Sequence, residues 1–149
     1  MKFTVYRKRY EGYTRSPGSK GEASENIIGN AIRTLGPGTR DKLVIATKVG
    51  MLVDRDGNPE GGLSAAHIQK ECARSLARLG VSCIDIYYAH KPDEDGVPLT
   101  ESIGAFAQLI SEGKIKHWAV SNFDPALLSQ VLEVCDAHAW PRPVMHQPS

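Results

Sequence analysis

Five polar side chains stand at the ends of segments with the composition of buried strands, and their chemical types make them candidates for one shared site. They are an ammonium, an imidazole, a hydroxyl and two carboxamides, carried by Lys48, His90, Ser121, Asn122 and Gln147. In a parallel barrel the carboxyl ends of all strands meet at one mouth, where barrel enzymes build their sites. We therefore expect these side chains to face a common site, although a lone polar residue at a strand end is usually only the start of a loop.

The elements that would position these residues alternate between helix-like and strand-like segments, which is typical of βαβ units on a parallel sheet. Apolar residues at intervals of three and four predict a helix before each strand. The predicted strands are LVIAT, CIDIYYAH, IKHWAVSN and PVMHQ. The predicted helix starts are Ser24, Ser64, Pro98 and Asp124, and the predicted stops are Gly36, Gly80 and Gly113. The apolar face of the first helix consists of Ile27, Ile28, Ala31, Ile32 and Leu35.

The order of these elements suits either a barrel or a doubly wound sheet, because both use right-handed parallel connections. A doubly wound dinucleotide-binding fold would carry G-x-G-x-x-G between its first strand and helix, and no strand end here has that spacing. A long polar stretch from Gly50 to Gly62 instead follows the first clear strand, where barrels build their sites. These features favour the barrel.

The composition predicts one domain over residues 1–149, with hydrophobic residues making up 41% of the chain. Lysine and arginine number 18 and acidic residues 17, with mixed signs, so we expect neither a nucleic-acid nor a membrane partner. The three cysteines form no C-x-x-C pair, and no two histidines and a carboxylate have metal-ligand spacing. We therefore expect no disulfide framework, no metal and a cytoplasmic location.

Four segments resemble successive strand motifs of the aldo-keto reductases, and the resemblance runs from about Gly21 to the end of the chain. The segments are IATKVG, CIDIYYAHKPD, EGKIKHWAVSNF and the HQ near the terminus. The resemblance implies an α/β fold, a partial (β/α)8 TIM barrel covering about strands three to six and truncated at both ends. Residues 1–20 match no motif of the family and form an atypical N-terminal segment.

For the site, the resemblance implies that Lys48 and His90 are the lysine and histidine of the family's Asp-Tyr-Lys-His tetrad. Tyr13 is the best placed candidate for the tyrosine. The tetrad aspartate has no counterpart, because no aspartate precedes Asp41. The residues that resemble the family's ligands of the nicotinamide carboxamide are Ser121, Asn122 and Gln147.

The implied activity is NADPH-dependent reduction of a small-molecule aldehyde or ketone. In the family a tyrosine hydroxyl protonates the carbonyl oxygen; a neighbouring ammonium lowers the pKa of such a phenol, and a histidine can donate a hydrogen bond to the oxygen. The apparent truncation implies an inactive chain. The alternative is a non-catalytic remnant, or a regulatory or binding module of the same fold, and the oligomeric state is not predicted.

Overall fold

The structure is a computed structural model and describes residues 3–5, 20–50, 52–53, 59–60 and 62–148. Its main feature is a parallel sheet of five strands, formed by β1 (Phe3–Val5), β2 (Leu43–Val49), β5 (Ile84–Ala89), β6 (Ile115–Ser121) and β7 (His146–Gln147) in that spatial order. Two short strands, β3 (Leu52–Val53) and β4 (Pro59–Glu60), pair antiparallel in the loop that follows β2. The described sheet order follows the chain order, as expected for consecutive βα units of a barrel.

Four helices connect the strands of the sheet: α1 (Lys20–Leu35), α2 (Ala65–Leu79), α3 (Leu99–Ser111) and α4 (Pro125–Ala137). Their ends confirm several sequence signals. The Ser64 hydroxyl accepts a hydrogen bond from the His67 N–H, and the Asp124 carboxylate accepts one from the Leu127 N–H. Gly80 ends α2 in the left-handed conformation, with φ 66°. The alternating order predicted from the sequence is confirmed, and the architecture is a partial (β/α)8 barrel.

The N-terminal part of the fold differs from the sequence-based expectation in two respects. The first helix begins at Lys20, so Ser24 lies inside the helix instead of capping it. Residues 3–5 form a strand parallel to β2, which was not predicted because three residues are too few to show an alternating pattern. In addition, Ile27 and Leu35 are 68% and 71% exposed, so only part of the apolar face of α1 packs within the described residues.

The main core lies between the sheet and the helices. Strand residues of one face, including Tyr87 and Trp118, are buried there against apolar residues of the helices. Phe106 of α3 stacks on Trp118 with ring centroids 5.0 Å apart, and its ring is tilted against that of Tyr87 at 5.9 Å. The opposite face of the strands has a separate small cluster of Ala46, Tyr88 and Ala119. The helices therefore cover one face of the sheet, as they do in a barrel.

A buried polar network joins α1, α2 and β2 on the helix-covered face. Glu25 is 1% exposed and accepts hydrogen bonds from the Thr47 hydroxyl and from Arg78 Nε, both at 2.5 Å. The two helices approach closely, because a Cβ added at Gly29 would lie 2.3 Å from the Arg78 carbonyl oxygen. The network compensates the buried carboxylate with an ion pair and a hydrogen bond. No helix in the described part of the chain has the length and apolar character needed to cross a membrane.

Candidate functional site

The carboxyl ends of β2 and β7 are joined by a direct side-chain contact. Lys48 Nζ donates a hydrogen bond of 2.8 Å to Gln147 Oε1. Strands β5 and β6 lie between these two strands, so in a flat sheet the backbones would be about 14 Å apart. Curvature of the sheet and the length of the two side chains allow the contact. The predicted convergence of strand ends is thus visible in the geometry.

Ser121 and Asn122 attach the end of β6 to both neighbouring strands. The Ser121 hydroxyl and the Asn122 N–H each donate to the Gln147 carbonyl oxygen, at 3.0 Å. Asn122 Nδ2 donates to the His90 carbonyl oxygen at 2.8 Å. Asn122 adopts a left-handed backbone conformation with φ 62°, which asparagine tolerates better than most residues. These bonds connect the carboxyl ends of β5, β6 and β7.

Lys48 is a buried cation, with only 6% of its surface exposed. Its ammonium lies 5.3 Å from the ring centroid of Tyr88 in addition to its bond with Gln147. His90 continues the ladder beyond β5, since its N–H donates to the Val49 carbonyl oxygen at 2.9 Å. The structure therefore brings Lys48, His90, Ser121, Asn122 and Gln147 to one end of the sheet, and their roles remain predictions.

Tyr88 is a neighbour of this site that the sequence reasoning missed. It is 1% exposed, and its hydroxyl donates to Met145 Sδ at 3.4 Å. Tyr88 lies opposite Lys48 of β2 on one side and Ala119 of β6 on the other. A signal was present in the sequence, because Tyr88 precedes His90 by two residues and so lies on the same face of the strand.

The loop after His90 is held by the carboxylate of Asp93. Its oxygens accept hydrogen bonds from the N–H groups of Leu63, Asp95 and Val97, at 2.6 to 2.9 Å. Burial alone would raise the pKa of Asp93, but the hydrogen bonds from these backbone N–H groups outweigh it and lower the pKa. The carboxylate thus fixes this loop against the residues that precede α2.

Tyr13, the predicted proton donor, lies outside the described residues. Most of the polar loop after β2 also lies outside them. Within the part of the chain that is described, no group of three or more histidine, cysteine or acidic side chains could hold a metal ion.

The strand ends could hold a ligand that carries a carboxamide. Asn122 Nδ2 donates a hydrogen bond to the His90 carbonyl oxygen, and Gln147 Oε1 accepts one from Lys48 Nζ. Among the described residues no hydrogen bond is formed by Asn122 Oδ1 or Gln147 Nε2, which leaves one acceptor and one donor. A primary carboxamide needs that pair, because its NH2 donates and its oxygen accepts.

Comparison with known proteins finds several similar sequences. The sequence matches the aldo/keto reductase family over residues 10–149. It is 34% identical over 131 residues to L-glyceraldehyde 3-phosphate reductase of Escherichia coli O157:H7, covering 87% of this chain and 36% of that protein. It is 36% identical over 99 residues to aldo-keto reductase str7 of Strobilurus tenacellus, covering 66% and 27%.

A third relative is a Schizosaccharomyces pombe protein with the provisional name voltage-gated potassium channel subunit beta. The identity is 35% over 125 residues, covering 84% of this chain and 36% of that protein. The chain therefore spans about a third of the length of these relatives. The chain belongs to the aldo/keto reductase family. Two of the relatives described above are named as reductases, which are oxidoreductases.

Proposed function

We propose that this protein, in a form that also carries the later βα units of its relatives, reduces small-molecule aldehydes or ketones to alcohols with NADPH, while residues 1–149 alone are expected to be inactive. The observation that supports the proposal most is the buried Lys48 ammonium at the carboxyl end of the sheet, within 2.8 Å of Gln147. Burying a cation costs free energy, so a buried lysine needs a reason. A role in catalysis supplies one here, because barrel enzymes have their active sites at this end of the strands. NADPH, when bound, supplies the hydride that reaches the carbonyl carbon.

His90 and Tyr13 act on the carbonyl oxygen in this proposal, and Lys48 acts through Tyr13. Negative charge develops on that oxygen, and an imidazole N–H from His90 would stabilise it by hydrogen bonding. Tyr13 would deliver the proton, and Lys48 would assist it because a nearby cation favours the phenolate. The assignment of Tyr13 rests on its place in the sequence before α1.

Ser121, Asn122 and Gln147 would bind the nicotinamide carboxamide. The acceptor on Asn122 and the donor on Gln147 fit the two ends of that group, and the Lys48 contact keeps the Gln147 oxygen turned away from it. A carboxamide held at both ends presents one ring face to the substrate. The cysteines at positions 72, 83 and 135 are free, which supports our proposal that the protein works in the reducing cytosol.

A non-catalytic binding module of the same fold is the second candidate. Two observations favour it: no aspartate precedes Asp41, and one relative carries a channel-subunit name. Such a module would bind a nicotinamide cofactor without turning over a carbonyl compound. Binding and turnover must therefore be measured separately.

The test measures NADPH and NADH binding by fluorescence and their oxidation with 4-nitrobenzaldehyde. In the form with the later βα units we expect NADPH-dependent turnover that Lys48→Met lowers by about 10²–10⁴-fold, because proton transfer is impaired, with little change in the Kd for NADPH. The matched control is Lys70→Met, since Lys70 is an exposed lysine on α2. Binding without turnover would favour the non-catalytic module, and full kcat in Lys48→Met would contradict the role of Lys48.

A further inference from the structure

Four side chains form a row across the face of the sheet that the described helices leave uncovered. Lys48 is opposite Tyr88, and Tyr88 is opposite Ala119 in the register of the strands. Met145 continues the row, because Val120 pairs with the next residue, His146. The row therefore crosses β2, β5 and β6 and reaches the residue before β7, with Lys48 as its member in the candidate site.

Tyr88 contacts both ends of this row. The Lys48 ammonium lies over its ring at 5.3 Å from the centroid, within the range of a cation–π interaction. On the other side its hydroxyl reaches Met145 Sδ at 3.4 Å. Ala119, which is fully buried between them, has a side chain small enough to leave room for the ring.

We propose that Tyr88 is a positioning residue that holds the Lys48 ammonium at the mouth of the barrel. Lysine has a long side chain with several rotatable bonds, so its direction depends on the groups placed around the ammonium. The face of the Tyr88 ring attracts the ammonium in a direction different from that of the bond to Gln147. On its other side the ring carries a hydroxyl bonded to Met145, the residue before β7, which adds to the contacts that hold the ring.

The consequence for catalysis rests on the proposed function. If Lys48 assists the proton donor, its ammonium must stay within a fraction of an ångström of its working position, and a displacement of about 1 Å can cost on the order of 10²-fold in rate. Tyr88 itself does not touch the substrate. Its removal should therefore lower kcat and leave the binding of NADPH largely unchanged.

The positioning is tested first without any activity measurement. Protons on Lys48 Cε should show an upfield ring-current shift in NMR spectra, with the signals assigned through Lys48→Met. Tyr88→Leu removes the ring and should move these signals to the position of ordinary lysines, whereas Tyr88→Phe keeps the ring and should preserve the shift. Unshifted Lys48 signals in the unmodified protein, or signals that Tyr88→Leu does not move, would overturn the proposal.

A direct measurement on the unmodified protein covers the case in which Tyr88→Leu does not fold. Nuclear Overhauser effects between the Tyr88 ring protons and Lys48 Cε protons are expected, and their absence would overturn the proposal as well. In the activity assay we expect Tyr88→Leu to lower kcat by at least about tenfold, and Tyr88→Phe to lower it far less. An unchanged kcat in Tyr88→Leu would refute the positioning while the proposed function stands. No turnover in the unmodified form with the later βα units would refute the function, and the NMR result would still decide the positioning.

Discussion

The two faces of the sheet carry different kinds of residue, although the same strands supply both. The face toward the helices is mostly apolar and tightly packed, with Tyr87 and Trp118 buried against Phe106. The other face has the small cluster of Ala46, Tyr88 and Ala119, and polar side chains such as Lys48 and Gln147 lie at its carboxyl end. Alternate residues of one strand thus serve stability and chemistry separately. Substitutions on the two faces should be distinguishable by what they change.

The largest expected effect is on the helix-facing side. Phe106→Ala should lower the free energy of unfolding by about 3–5 kcal/mol, because it leaves a cavity beside Trp118 and Tyr87. Denaturant unfolding measures this loss. Folded molecules of the variant should keep the NADPH affinity of the unmodified protein, and a selective loss of binding at unchanged stability would contradict the separation of the two faces.

His90→Ala tests the candidate site at the carboxyl end of the sheet. We expect kcat/KM to fall by about 10²-fold, since a hydrogen-bond donor to the carbonyl oxygen is lost. Stability and NADPH affinity should change little, because the backbone groups of His90 keep their bonds to Val49 and Asn122. Steady-state kinetics with thermal melts as the control measure both. A variant that loses NADPH binding but keeps its chemistry would show that His90 has another role.

A smaller, pH-dependent effect is expected at Asp85, a polar group at the start of β5. Its carboxylate accepts the Ile45 N–H at 2.9 Å and pairs with Arg40 and Lys116, each at 2.7 Å. Burial alone would raise the pKa of Asp85, but the Ile45 N–H and the two cations outweigh it and lower the pKa. Asp85→Asn should therefore lower the free energy of unfolding by about 1–3 kcal/mol at neutral pH.

The sign of the pH dependence follows from the lowered pKa. The ionised carboxylate stabilises the folded state above its ordinary pKa of 3.8, and this contribution disappears as the pH falls from there to the lowered pKa of the folded state. The difference between the unmodified protein and Asp85→Asn should shrink over that acidic range. Unfolding curves at several pH values measure it, and a difference that stays constant would contradict the assignment.

The smallest effect is expected on the solvent side of α4. Asp136 and Arg142 form a two-bond ion pair at 2.5 and 2.8 Å, but both side chains are exposed. Exposed pairs contribute little because water and salt screen them. Asp136→Asn should leave the thermal melting temperature and kcat unchanged within error. A clear destabilisation would mean that this contact matters more than its exposure indicates.

Local signals in the sequence were sufficient for most of the fold. Ser64, Gly80 and Asp124 act through backbone bonds to residues a few positions away, so their functions can be read from the sequence. The start of α1 was predicted wrongly because Ser24 suits a cap, whereas the helix continues to Lys20. Strand β1 has only three residues, so its sequence shows no recognisable strand pattern. It is identified as a strand by its pairing with β2.

The candidate site was predictable only in outline. Strand ends converge in any parallel barrel, so the meeting of Lys48 and Gln147 across 99 positions could be expected. The contact of Tyr88 with Met145 depends on register and on the small side chain of Ala119, which no local pattern reports. The same is true of Glu25, whose partners come from β2 and α2.

The left-handed backbone of Asn122 restricts which amino acids a functional version of this protein can carry there. Glycine would accept the φ of 62° but would lose the amide that holds His90, and aspartate would lose the donor. β-Branched residues would be strained. In a library of all substitutions, position 122 should therefore have one of the narrowest tolerances in the chain, even though its side chain is exposed to solvent. The low tolerance at this exposed position would then result from the left-handed backbone conformation, and not from burial of the side chain.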